Sequence, residues 1–402
     1  MKPTYEDVLK AESMRGKEIR KTPLVHSPTF SQLIGSEVYL KMEHQQKTGA
    51  FKIRGAHYKI KSLSDDEKKN GVVAASAGNH AQGVAFAASA ENIPCTIVMP
   101  KTASPAKVAA TKGYGANVIL EGNNYEESWN KAKEISEKTN AKIIHAFDDS
   151  QIIAAQGVIG LEILEDLPDV DEVYVPIGGG GLAAGMLIAI KTKHPNVKVI
   201  GVQSSSFPAM KESLSKGNLT VTGGSRTIAD GISVKNPGTI TFEVIKELID
   251  DIVLVDDSKI IEAMFLLMER AKSVVEPSGA VTLAHLLSKK PSPGKKVVAV
   301  LAGGNVDMYL LGQIVDKGLA FMGRLLKIFI LLPDKPGALK EVVDEITSAN
   351  ANIVEVVHDR FSLDINAGSA GVTLSLETQG KENAEKLIER LREKNIQFKL
   401  MT

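Results

Sequence analysis

Glu172-Val173-Tyr174-Val175-Pro176-Ile177-Gly178-Gly179-Gly180-Gly181-Leu182-Ala183 decides the fold class: a β-rich run, four adjacent glycines, then the start of an apolar helical pattern. Glycines between a strand and a helix let backbone N–H groups approach an anion closely, and the helix dipole favours negative charge there. A phosphate-bearing ligand is the expected occupant. A dinucleotide is the competing reading, since Gly178, Gly180 and Ala183 fit the loose G-x-G-x-x-G/A spacing. That reading needs an acidic residue at the end of the next strand, where the chain has Gln203 and Ser204. A plain glycine turn remains as the bland reading, but four consecutive glycines carry a large entropy cost without a reason. The uncharged stretch 173–190 is nearly long enough for a membrane span, yet Pro176 and the glycines inside it argue for strand, turn and helix.

Outward from this motif, β-rich runs at 37–42, 71–75, 96–99, 117–120, 142–146, 172–177, 197–203, 252–255 and 296–301 alternate with helical patterns such as 79–91, 125–139, 182–194 and 258–272. Strand alternating with helix predicts parallel sheets covered by helices, an α/β fold. After about residue 320 the order becomes strand 325–332, helix 336–350, strands 353–360 and 371–377, helix 381–393 and strand 397–401. This βαββαβ order is ferredoxin-like and predicts a boundary near 318–324, with one domain over 1–320 and a second over 325–402.

Composition narrows the partners. The chain has 402 residues, and its 48 Lys and Arg are balanced by 48 Asp and Glu, so it lacks the cationic field that drives nucleic-acid binding. The single cysteine, Cys95, excludes an internal disulfide and a Cys-ligated zinc site, and predicts a reducing, cytoplasmic compartment. Tyr5, Glu6 and Asp7 stand where a signal peptide would need a cationic start and an apolar stretch, so neither export nor a membrane partner is expected.

Two further segments carry chemistry. In Thr48-Gly49-Ala50-Phe51-Lys52-Ile53-Arg54-Gly55-Ala56, a lysine and an arginine two apart would ordinarily be an exposed charge pair. Lys52 stands at a loop-to-helix junction, however, where neighbouring cations or desolvation could lower its amine pKa enough for Schiff-base chemistry. In Ala75-Ser76-Ala77-Gly78-Asn79-His80-Ala81-Gln82-Gly83, a strand again gives way to a helix, and its N–H groups with the Ser76 hydroxyl and Asn79 amide suit a carboxylate.

These segments, with Thr227-Ile228-Ala229-Asp230-Gly231, Glu276-Pro277-Ser278-Gly279-Ala280 and Leu301-Ala302-Gly303-Gly304-Asn305, make the chain resemble the threonine dehydratase (threonine ammonia-lyase) family of fold-type II pyridoxal-phosphate enzymes over about residues 5–320. The resemblance implies a tryptophan synthase beta-like fold of two parallel α/β sub-domains, the smaller spanning about 48–145. By the same resemblance, Lys52 holds pyridoxal 5'-phosphate as a Schiff base and, once freed, removes the substrate α-proton. Phe51 packs beside the ring, Asn79 bonds the ring hydroxyl, and Gly178, Gly179, Gly180, Gly181 and Leu182 hold the phosphate. Ser76, Gly78, Asn79 and His80 meet the substrate carboxylate. L-threonine would become 2-oxobutanoate and ammonia, with L-serine a second substrate, in a homodimer or homotetramer.

The chain departs from this family where serines are usual, at Ala50 and at Ala302, the latter the position whose serine hydroxyl, by the resemblance, would partner the pyridine nitrogen. No catalytic base is lost, so activity is expected to survive. Gln203 to Ala209 lack the carboxylates of a racemase-type magnesium site, and no metal is expected there. Asp334-Lys335-Pro336-Gly337-Ala338-Leu339 resembles the signature turn of ACT domains, amino-acid-sensing modules, which implies effector contacts at Gly337 and Asn352, with isoleucine or valine as the effector. Serine dehydratase or serine racemase is the nearest alternative activity. An amino-acid-binding sensor that has lost catalysis is the alternative of a different class.

Overall fold

The four glycines join the strand Glu172–Pro176 to the helix Gly181–Lys193, as the sequence predicts, in a computed structural model that describes residues 1–401. That strand lies inside a six-stranded sheet ordered Leu24–His26, Glu37–Lys41, Lys296–Val300, Glu172–Pro176, Lys198–Ser204 and Asp251–Val255. Only the first pair is antiparallel. A second, wholly parallel sheet runs Asn117–Leu120, Cys95–Met99, Val72–Ala75 and Lys142–Ile143. Its strands fall between the second and third strands of the large sheet in sequence, so the smaller lobe is an insertion into the larger. The Val, Ile and Ala-rich runs follow from burial on both faces.

Two helices at the centre of the larger lobe position the glycine loop. Gly181–Lys193 packs on Ser150–Asp166 so closely that a Cβ at Gly185 would overlap the Ile153 carbonyl oxygen. A Cβ on Gly157 would lie 2.7 Å from the Gly185 carbonyl oxygen. Both helices are buried nearly all round, which erases the amphipathic period by which a surface helix is recognised. Asp149 caps the helix Ser150–Asp166, accepting the N–H groups of Gln151 and Ile152 at 2.9 and 3.2 Å.

The chain divides into two compact units, Met1–Val306 and Asp307 onward. This falls ahead of the 318–324 link, because Asp307 caps the helix Met308–Phe321, which continues directly into the strand Leu325–Pro333. In the second unit an antiparallel sheet is ordered Asn352–Asp359, Ser369–Glu377, Leu325–Pro333 and Phe398–Leu400, the ferredoxin-like topology expected from the βαββαβ order. Leu326, Ile328 and Ile330 alternate into its core against Val342 and Ile346 of the helix Ala338–Ser348 and Leu387 and Leu391 of the helix Lys381–Glu393. Cys95 is buried and unpaired, and among the described residues no helix is long and apolar enough to cross a membrane.

The Gly185 contact is backbone against backbone, so it has no side chain that can give way. Gly185→Ala is expected to destabilise the first unit by about 2–3 kcal/mol through overpacking, read as a lower denaturation midpoint in urea.

Candidate functional site

Lys52 opens the helix Lys52–Lys61, and the loop before it is clamped by main-chain bonds. Ala50 forms an antiparallel bridge with Gly303, and the Phe51 N–H donates to the Ala302 carbonyl at 3.1 Å. Ala50, where the family usually has serine, therefore stands opposite Gly303, and Ala302, the other such position, opposite Phe51. The Lys52 amine donates to the Ala146 carbonyl at 2.8 Å and lies 5.1 Å from the Phe51 ring centroid. Burial pushes this amine down to about 8, against the pull of the Glu276 carboxylate. An amine in that range is partly uncharged near neutral pH and so nucleophilic.

Arg54, two residues on, is not the exposed charge that its spacing suggested. It is buried, donating to Glu43 through Nε and Nη2 at 2.8 Å each and to Glu162 at 2.8 and 2.9 Å. Lys41, also buried, donates to Glu162 at 2.6 Å, and the half-buried Arg15 donates to the same carboxylate at 3.1 Å. The cluster ties the first turn of the lysine helix to the strand Glu37–Lys41 and the helix Ser150–Asp166.

At the glycine loop, Gly180 takes the left-handed conformation, φ 97°. None of the hydrogen bonds among the described residues uses the N–H groups of Gly178, Gly179 or Gly180. The loop is held instead through the Gly179 carbonyl, which accepts from Thr241 Oγ1 at 2.6 Å and from the Gly238 N–H at 3.3 Å. A Cβ at Gly179 would overlap the Phe147 ring, and one at Gly181 would sit 2.8 Å from the Phe147 carbonyl oxygen. The loop and the Lys52 amine thus both abut the dipeptide Ala146-Phe147.

The third motif meets the same segment. His80 Nε2 lies 2.9 Å from the Ile144 carbonyl oxygen, and burial, with Lys52 and His145 nearby, pushes this imidazole down to about 3. Its ring is a neutral buried donor rather than a group presented to a ligand, so only the main chain of His80 is available at the helix start. Gly78 precedes the helix Asn79–Ala90 with open space where a Cβ would stand, and its N–H donates to Ser76 Oγ at 3.2 Å. The Asn79 amide is fixed at both ends: its oxygen accepts from Asn305 Nδ2 at 2.8 Å, and its nitrogen donates to Glu276 at 2.7 Å. Ser278 Oγ is buried without a partner. Glu276 and Asn305 lie inside sequence motifs, but their local spacing assigns neither a role, because their partner Asn79 is about 200 residues away. The Asp230 carboxylate pairs with Lys107 at 2.8 Å. Among the described residues, no three His, Cys, Asp or Glu side chains are grouped to hold a metal ion.

In the second unit, a cavity of about 430 Å³ opens beside Gly337, lined by Leu332, Leu339, Val343, His358 and Arg360, with Asp334 and Arg360 paired at 3.0 Å. Asn352 is elsewhere. The strands Leu325–Pro333 and Asn352–Asp359 both run antiparallel to Ser369–Glu377, so Asn352 pairs with Glu377 at the opposite end of the sheet from Pro333 and Gly337. One module therefore does not bring Gly337 and Asn352 together.

A buried amine of lowered pKa, unspent glycine N–H groups at a helix start and a two-lobed parallel α/β scaffold define a cofactor-dependent enzyme of the fold-type II class. The profile of the family described as pyridoxal-phosphate dependent enzyme matches residues 16–303, and the chain belongs to that family. It is 47% identical over 384 residues to an L-threonine ammonia-lyase of Thermotoga maritima, covering 96% of each chain. Among solved structures, it resembles processed threonine deaminase isoform 2 of Solanum lycopersicum (TM-score 0.75, 35% identity, 79% of this chain and 90% of that one). Maize serine racemase is equally similar in fold (TM-score 0.75, 34% identity, 80% of this chain and 99% of that one). The residues present fit pyridoxal phosphate: the Lys52 amine for the aldehyde, the glycine N–H groups for the phosphate, and the second Asn79 amide proton as a polar partner for the ring.

His80 generates a pH prediction. Its folded pKa lies below that of a free imidazole, so the unfolded chain binds more protons and stability falls as pH drops below about 6.5. At pH 5 the contribution is about 2 kcal/mol. Urea titrations of the cofactor-free protein between pH 7 and pH 5 should show His80→Gln losing less stability than the parent by about that amount.

Proposed function

We propose that this protein is a pyridoxal-phosphate-dependent L-threonine ammonia-lyase, forming 2-oxobutanoate and ammonia and also accepting L-serine. The observation that carries the reading is the convergence of the desolvated Lys52 amine and the unspent glycine N–H groups on Ala146-Phe147. Bound pyridoxal phosphate supplies an electron sink for charge developing at the substrate α-carbon. The residues do the rest. Lys52 holds the cofactor and, once free, takes the α-proton; its lowered pKa keeps a fraction of the amine unprotonated for that step. The N–H groups of Gly178, Gly179, Gly180, Gly181 and Leu182 hold the phosphate at a helix start. Phe51 packs against the ring and Asn79 donates to its hydroxyl. Ser76 and the main chain of Gly78, Asn79 and His80 hold the substrate carboxylate at the second helix start. Ala302 offers the pyridine nitrogen no hydroxyl.

The second unit acts as an amino-acid-sensing ACT module. Its topology, the Asp334-to-Leu339 turn and the cavity beside Gly337 support this reading. Isoleucine or valine is the effector, and Asn352 contributes only if two modules pair, in a homodimer or homotetramer. The single, buried Cys95 suits a cytoplasmic enzyme.

Absorbance and keto-acid assays test the enzyme. Purified protein with added cofactor should show a visible band that changes on adding threonine while 2-oxobutanoate accumulates. Lys52→Ala should abolish the band and lower turnover by about 10³-fold. A parent protein with the band but without keto acid would overturn the lyase reading in favour of a sensor. For the second unit, isoleucine or valine should shift the threonine saturation curve or the thermal midpoint of the full chain; no change in either refutes control by these amino acids.

A further inference from the structure

We infer that Glu276 is a positioning residue that sets the orientation of the Asn79 amide and so aims one of its two amide protons into the cofactor site. The inference rests on the cofactor reading above and adds a residue to it. Glu276 precedes the helix Pro277–Ser288 in the capping position, yet its side chain caps no N–H of that helix. Its carboxylate is turned instead to Asn79 Nδ2 at 2.7 Å, while its own N–H donates to the Gly303 carbonyl at 2.9 Å.

Asn79 is constrained from the other side as well. Asn305 Nδ2 donates to Asn79 Oδ1 at 2.8 Å and to the Thr48 carbonyl at 2.8 Å. Both protons of Asn305 are thereby spent, and an asparagine amide that accepts at its oxygen must present its NH₂ to the opposite side. There Glu276 accepts from one N–H and leaves the other free to donate. Without Glu276 the amide keeps one anchor and gains freedom to rotate; with it, the remaining proton has a single direction. Gly303 makes the contact possible, since a Cβ on it would overlap Glu276 Oε1 and stand 3.1 Å from Asn79 Nδ2.

The surroundings suit this role. Glu276 is buried, and the charged groups acting on it are Lys52 of the lysine helix, Lys107 of the helix Pro105–Gly113 and Asp230 of the Ala-Asp-Gly turn. Burial first and Asp230 second push its carboxyl up to about 8. Either protonation state leaves an oxygen to accept from Asn79, and a glutamine does the same.

Cofactor affinity and the pH titration of the visible band are the readouts, with thermal midpoints recorded alongside. In the full-length protein, Glu276→Gln should bind pyridoxal phosphate within about threefold of the parent, whereas Glu276→Leu should weaken it about tenfold and move the pH midpoint of the band. Glu276→Ala replaces the leucine variant if the latter does not fold. The decisive arm is the double mutant: in an Asn79→Ala background, removing Glu276 should weaken cofactor binding no further. Additive losses, or an unchanged affinity and pH midpoint in the folded single variant, would overturn the inference. A parent protein that shows no band with cofactor overturns the cofactor reading itself, a result distinct from either.

Discussion

Two cations and two carboxylates buried beneath the lysine helix are the constraint on which the site depends. Arg54 holds Glu43 and Glu162, Lys41 pairs with Glu162 from the strand below, and the half-buried Arg15 reaches Glu162 as well. Leaving one partner of such a cluster unpaired costs about 3–5 kcal/mol, so the cluster tolerates little displacement. Because Arg54 is two residues beyond Lys52, the same rigidity fixes where the Lys52 amine emerges. Burial makes the amine nucleophilic, and the same burial is tolerated at Arg54 because Glu43 and Glu162 pair with its guanidinium.

A second organising element is the short segment from Ile144 to Asp148. His80 binds the Ile144 carbonyl and Lys52 the Ala146 carbonyl; Phe147 fills the space left by the glycine side chains, and Asp148 caps the helix Thr239–Leu248 through the N–H groups of Thr239, Ile240 and Thr241. Three motifs distant in sequence are brought to one place by a stretch that bears none of the signature residues. His145 stiffens it by accepting the N–H groups of Phe147 and Asp148 at 3.2 and 2.8 Å.

Much of the fold was legible in the chain because the local rules agreed. The strands 72–75 and 117–120 and the βαββαβ order after residue 320 each combine a clear period with turn residues, and four glycines mark the strand–helix junction at 172–193 without one. The helix Ser150–Asp166, equally buried, escaped because it has neither a polar face nor a glycine junction to announce its start. The boundary moved to residue 306 because the helix Met308–Phe321 runs into the next strand through a link without a strong turn signal. Arg54 was misjudged for a related reason: spacing describes neighbours along the chain, and its partners lie 11 and 108 residues away.

The sequence by itself determined the chemical types and their local settings: a lysine at a helix start, glycines between strand and helix, a Ser-Ala-Gly-Asn-His turn, and the order of elements in both units. These are properties of neighbouring residues, governed by propensity, glycine's freedom and helix-end electrostatics. Only the tertiary structure decided that Lys52 is desolvated, that Arg54 is buried, that the His80 ring faces the Ile144 carbonyl, and that Glu276 and Asn305 grip Asn79 from opposite sides. Each of those depends on burial and on partners far along the chain, and neither quantity is a function of spacing.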